Sequence, residues 1–308
     1  MKNSHVLIIG GTGFIGKCLV KSLKANGFTD ILAVSRKNHL ADISSKKNIE
    51  PFIAKADFVI NMAGLVSFSK KHRKKLLDIN NEGALNVLYL CEKHDNVKKL
   101  IHISSTASFG FHKDLVTEET FFDWEHHKHL GYSYSKFLPN KQINESKQAT
   151  NIVYPPLVIG PGDNSGTRRL FSYVRKKRRV LVPPGMNAVV DVRDLCEAIT
   201  LILKKAKNKE NYIVTNENVK LTELFSTIVD LLDQKTKISR IPGFLEKPIY
   251  GMSKFLEFLK FPIPSENIFF AFKDRIFSSS KIQTDLGFVP KYSYEQSLKD
   301  FLNESTEL

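Results

Sequence analysis

The chain lacks any apolar run approaching the roughly 20 residues that a membrane-crossing helix requires, so no spanning helix is expected. No secretory leader is visible, because strand-like residues 5–9 follow a short polar start and lead directly into a glycine loop. Cysteine is scarce: Cys18, Cys91 and Cys196 are widely spaced and form neither a CxxC pair nor a metal-ligand pattern. That spacing gives no reason to expect a disulfide framework or a metal centre, and a reducing, cytoplasmic setting is expected. Acidic residues are few beside basic ones, 32 Asp and Glu against 46 Lys and Arg, for a formal charge of +14. The excess is densest in Lys70–Lys75 and Arg175–Arg179. Neither cluster is interleaved with stacking aromatics or belongs to a known nucleic-acid module, so nucleic acid is not an expected partner. Both read as solvated faces, with some capacity to attract phosphate-bearing ligands or anionic lipid headgroups.

What is present is an alternation of short apolar runs with longer helical patterns, the signature of βαβ units and a parallel sheet. Strands are expected at residues 6–9, 31–35, 57–61, 100–104 and 151–154, with helices from Phe14 to about Asn26 and from Asn80 to His94. A further helix carries Tyr132 and Lys136. Beyond Pro155–Pro156 the alternation loosens, and Phe becomes dense between Phe244 and Phe277. The expected fold is α/β: a Rossmann-type, doubly wound parallel sheet with a smaller C-terminal substrate-binding domain. Residues 1–160 would form the dinucleotide-binding domain, with a returning segment at about 187–215, and 161–308 an interleaved cap.

Gly10-Gly-Thr12-Gly13-Phe14-Ile15-Gly16 lies between a strand and a helix, the context that makes a glycine pattern informative. Glycine allows the tight turn and lets backbone reach a pyrophosphate, while the helix N-terminus supplies N–H groups and positive charge. Where strand two ends, a carboxylate would favour an unmodified ribose. The chain instead has Ser35-Arg36-Lys37, a hydroxyl and two cations that suit a 2′-phosphate, so NADP(H) is favoured over NAD(H). Asp42 and Ile43 are expected near the adenine ring.

Tyr132 and Lys136 are four apart and share one face of a helix. A phenol with a pKa of about 10 is expected to be made more acidic by that ammonium together with an oxidised nicotinamide. Tyr132 would then exchange a proton with a substrate oxygen that Ser105 also binds, and Lys136 would hold the nicotinamide ribose. Ser104 competes with Ser105 for this role. Tyr134 has Leu138 at the fourth position after it and so no cationic neighbour.

With these motifs in order, the chain resembles the extended short-chain dehydrogenase/reductases of the NAD-dependent epimerase/dehydratase group. The resemblance runs through nearly the whole chain: Gly10–Gly16, residues 57–64, Asn80 to Asn86, residues 103–110, Tyr132 and Lys136, Pro155–Pro161, Asp191–Asp194 and residues 280–290. It implies catalytic roles for Ser105, Tyr132 and Lys136, with Asn80 supporting the lysine. It also implies cofactor contacts from Met62, Ala63, Gly64, Pro155 and Val158, and often a homodimer. Leu157 stands where sugar-nucleotide enzymes usually carry Asn, and the pattern is nearer the dihydroflavonol-reductase and 3β-hydroxysteroid-dehydrogenase-like branch.

The leading expectation is an NADP(H)-dependent oxidoreductase interconverting a ketone or aldehyde and an alcohol on an apolar small molecule. A nucleotide-sugar epimerase or dehydratase with bound NAD is a second reading, and a non-catalytic NADP-sensing regulator a third. Residues 241–277 alternate apolar positions with Lys247, Lys254 and Lys260. They read as a packed cap helix or as a weak peripheral membrane contact.

Overall fold

The computed structural model describes residues 4–38, 41–259, 261 and 264–304. Lys260 therefore lies outside the described residues. Four βα steps and a fifth strand open the chain. β1 (Val6–Ile9), α1 (Phe14–Ala25), β2 (Ile31–Val34), α2 (Lys46–Ile53) and β3 (Phe58–Asn61) lead to α3 (Arg73–Leu76) and α4 (Ala84–Lys93). β4 (Lys99–Ile103), α5 (Gly131–Glu145) and β5 (Thr150–Tyr154) follow. The next part holds β6 (Leu157–Ile159), α6 (Gly166–Val174), β7 (Arg179–Val182), β8 (Met186–Asp191), α7 (Val192–Lys205) and β9 (Tyr212–Ile213). β10 (Glu217–Lys220), α8 (Leu221–Leu231), β11 (Lys237–Arg240), α9 (Glu246–Phe258), α10 (Ser265–Ala271), α11 (Ser280–Leu286) and α12 (Tyr294–Glu304) complete it.

The central sheet has the order β2-β1-β3-β4-β5-β9, and all of its pairings are parallel. Its strands are apolar on both faces because both are covered, as a parallel sheet requires. Val6 and Ile8 pack with Leu19 and Leu23 of α1 and Leu195 and Ile199 of α7. Leu7 and Ile9 point the other way, toward Ile49 and Ile53 of α2 and Val87 of α4. The chain runs outward from β1 to β2 and then returns to β3 on the opposite side of β1. This reversal opens a crevice at the carboxyl ends of β1 and β3, where open α/β sheets bind ligands.

A smaller three-stranded sheet, β10-β8-β6, and a parallel pair, β11-β7, build the second lobe. Its core joins Phe171, Val189, Ile228 and Phe301. Two boundaries differ from the sequence reading. Residues 280–288 were expected in the cap, but Ile282, Leu286 and Phe288 pack into the core beneath the central sheet, against α7 and Tyr212. The helix expected from Asn80 starts earlier. It is helical from Arg73, widens into a π-helical stretch over Leu77–Gly83 and continues as α4. Such wide turns re-aim a side chain, here that of buried Asn80.

The returning C-terminal segment is tied down by one buried carboxylate. Asp194 accepts the backbone N–H groups of Lys291 (3.0 Å) and Tyr292 (3.1 Å) and the side-chain amide of Asn216 (2.5 Å). Asp194→Ala leaves these donors unanswered, and the expected loss is about 2–4 kcal/mol in chemical denaturation. An unchanged midpoint would show that this strap contributes nothing to stability.

Candidate active site

The loop after β1 meets the loop after β3. Gly10 has φ of +86°, and a Cβ there would lie 2.9 Å from the backbone nitrogen of Ala63. A Cβ on Gly16 would overlap the Gly11 backbone at 2.5 Å, so glycine lets α1 sit directly on the turn. α1 starts at the exposed Gly13 with no side-chain cap, and no acid stands in its first turn. Its leading N–H groups therefore offer an anion site of the kind a pyrophosphate uses. Phe14, Ile15 and Met62 turn their side chains to the core. The glycine cradle and the uncapped helix end fit a dinucleotide.

At the end of β2, Ser35 accepts a hydrogen bond from Thr12 Oγ1 (2.7 Å), and its N–H donates to Asn38 Oδ1 (2.7 Å). Arg36 and Lys37 are exposed immediately afterwards. Asp42 is engaged by Ser44, which donates from its backbone N–H (3.0 Å) and hydroxyl (2.7 Å). Ile43 is buried under the wide turn, where a Cβ on Gly83 would meet it at 2.6 Å. Farther along, the Pro155 carbonyl accepts the N–H of Thr106 (3.0 Å), and Val158 lies half-buried on β6.

Ser105, Tyr132 and Lys136 converge at the carboxyl end of β4. Ser105 caps a short 3₁₀ turn, its Oγ accepting Ala107 N–H (3.2 Å), and its hydroxyl lies near enough to Tyr132 to lower the pKa of the phenol. One turn along α5, Lys136 Nζ donates to the carbonyl of Ile103 (3.0 Å). Ser104 faces elsewhere, donating to the Lys136 carbonyl (3.2 Å). Tyr134 joins Trp124 and Phe137 in a separate aromatic cluster. Asn80 takes the Leu65 N–H on Oδ1 (2.7 Å) and donates to the Leu65 carbonyl and Ser135 Oγ (2.9 Å each). It therefore ties the loop after β3 to α5. A Cβ on Gly64 would lie 3.2 Å from both Asn80 Oδ1 and Lys136 Nζ. Contacts thus run from the glycine turn through residues 63–64 to the lysine.

The expected acidification of the phenol joins Lys136 with an oxidised nicotinamide. In the protein alone Lys136 does not achieve it: burial pushes Tyr132 up to about 12, the Ser105 hydroxyl opposes this, and the charge of Glu266 adds to it. Burial also brings Lys136 down to about 8. Two neighbours had no legible signal. Glu266 of α10, far along the chain, accepts the N–H groups of Tyr132 (3.1 Å) and Ser133 (3.0 Å) and caps the start of α5. Phe68 sets its ring edge-on to Tyr132 at 5.0 Å. A recess beside Tyr132 is lined by Phe68, Leu76 and Glu266 together with Lys70 and Arg73.

Comparisons with known proteins agree with this architecture. The model of the NAD dependent epimerase/dehydratase family matches residues 6–216. The chain belongs to that family, whose members are nicotinamide-dinucleotide enzymes. It is 22% identical over 341 residues to a 3-beta-hydroxysteroid dehydrogenase of Mycolicibacterium neoaurum, an alignment covering 99% of this chain and 92% of the relative. Its fold is shared with RMD from Pseudomonas aeruginosa, solved with NADPH (TM-score 0.74, 19% identity, 98% and 99% of the two chains). UDP-glucose 4-epimerase from Thermus thermophilus, solved with NAD, is similar too (TM-score 0.77, 18% identity, 97% and 98%).

Burial of Lys136 gives a stability prediction. The unfolded lysine titrates near 10.5 and the folded one near 8, so between these values the unfolded chain holds the extra proton and stability rises with pH. Below that window the folded state carries the full cost of a buried ammonium. Lys136→Met is therefore expected to melt above the unsubstituted protein at about pH 7, with the gap narrowing toward about pH 10. A gap that stays constant with pH would contradict this.

Proposed function

We propose that this chain is an NADP(H)-dependent oxidoreductase that interconverts an apolar ketone or aldehyde with its alcohol through Ser105, Tyr132 and Lys136. The observation that carries the reading is the convergence of Ser105, Tyr132 and Lys136 at the carboxyl end of β4, where Gly64, next to the Ala63 that the glycine turn approaches, lies against Lys136 Nζ. A carbonyl oxygen received between the two hydroxyls accepts a hydrogen bond from Ser105 Oγ and the proton of Tyr132 Oη. A bound nicotinamide supplies the hydride to the carbonyl carbon, or takes it in the reverse direction. Because burial keeps the phenol protonated at neutral pH, the chain's own groups prepare Tyr132 as a donor, which is the state reduction needs. Oxidation needs a further positive charge near the phenol.

Leu65, Phe68, Leu76 and Ala107 packed around Tyr132 support an apolar substrate. Ser35, Arg36 and Lys37, with no carboxylate at the end of β2, support a 2′-phosphate. One observation favours a second reading, a nucleotide-sugar epimerase or dehydratase with retained NAD. Lys70 and Arg73 line the recess beside Tyr132, where they would suit a diphosphate.

Tyr132→Phe is expected to lower turnover of a ketone panel by about a hundredfold or more, while a thermal shift with NADPH, larger than with NADH, persists. Copurifying NAD with an ultraviolet-absorbing sugar nucleotide, and no consumption of NADPH, would overturn the reductase reading in favour of the second.

A further inference from the structure

α9 is an inverted amphipathic helix. Its buried positions are Ser253 and Glu257, whereas Met252, Phe255 and Phe258 face solvent. Thirteen large hydrophobic residues are exposed among the described residues, and six of them fall between Phe244 and Phe261. Phe244 is 80% exposed and Phe258 76%. Together with Pro248 they recur every three or four residues, so they form one stripe and are not scattered. Beside the stripe, an apolar cavity of about 440 Å³ opens between Leu245, Ile249, Leu256 and Ile268.

The second component is charge. Lys70, Lys71, Arg73, Lys74 and Lys75 are all exposed, and Lys70 and Arg73 line one recess together with Glu257 of α9. Lys70 makes the junction: its Nζ lies 3.4 Å from Glu257 Oε2, and its N–H donates to Glu257 Oε1 (3.4 Å). Lys247 is exposed on α9 itself. An apolar aromatic stripe flanked by basic residues suits a bilayer with anionic headgroups, which takes up the rings at its boundary while its surface charge attracts the lysines. A second copy of this chain answers the pattern poorly. Pairing two such faces would bring like-charged clusters together on a chain already at +14.

We propose that the α9 stripe and the Lys70–Lys75 cluster form one docking surface for an anionic membrane. Lys70 and Arg73 of the cluster and Glu257 of α9 line the recess beside Tyr132, so docking sets the mouth of the site near the lipid boundary. The proposal does not depend on which reaction the site performs.

The test is co-sedimentation of the full chain with vesicles of phosphatidylcholine alone or mixed with phosphatidylglycerol. Binding to the mixed vesicles only is expected, weakened about tenfold or more by Phe255→Ser with Phe258→Ser, and similarly by Lys71→Glu with Lys74→Glu or by raised salt. All four positions are exposed, and unchanged melting temperatures would show that the variants fold. No binding, equal binding to neutral vesicles, or binding that survives the serine variants would each overturn the proposal. So would a dimer in solution that the serine variants dissociate, because the stripe would then be a contact between copies.

Discussion

An ammonium buried at the carboxyl edge of the sheet is the constraint on which the candidate site depends. Lys136 is drawn into a setting that disfavours its charge, and the Ile103 carbonyl receives it there. Holding it requires α5 to pack against the end of β4, with Ser104 pinning the Lys136 carbonyl and Glu266 capping the first turn. The same packing fixes Tyr132 one turn away, near the Ser105 hydroxyl that lowers its pKa. Burial thus acts on both groups together: it keeps the phenol protonated and the amine easily discharged.

The topology brings this pair to the dinucleotide cradle. Because β1 and β3 are neighbours, the loops that follow them lie side by side, and glycine at position 10 allows contact at a distance that a side chain would forbid. Asn80 then joins the loop after β3 to α5 through three hydrogen bonds. A regular α-helical turn would aim this side chain differently, and the π-helical stretch supplies the change. Cradle and proton-transfer groups are therefore one packed unit.

The central sheet was legible because its strands are continuous apolar runs between glycine and proline signals, and the strand–glycine–helix order marked the cradle. Tyr132 and Lys136 were legible from helical spacing, and Ser105 from its place after a strand. The remainder depended on contacts between distant parts of the chain. Glu266 caps a helix 134 residues before it, and no local pattern announces such a partner. The early start of the helix at Arg73 was hidden within a charge cluster that reads as solvated surface. The high pKa of Tyr132 in the protein alone was not legible, because sequence spacing reports the nearby lysine but not the burial that outweighs it. Residues 280–288 looked like cap by position, yet their apolar side chains complete the core of the other lobe.

The most direct test of the central claim is a tyrosinate difference titration, comparing the protein with Tyr132→Phe, each with and without NADP⁺. The chain has nine tyrosines, so the subtraction isolates the one that matters. The account predicts that Tyr132 ionises near 12 in the protein alone. With the oxidised nucleotide present, it should ionise below about pH 10, because a positive ring close by favours the phenolate. An identical titration in both conditions would place Tyr132 beyond the reach of the nicotinamide and contradict the account.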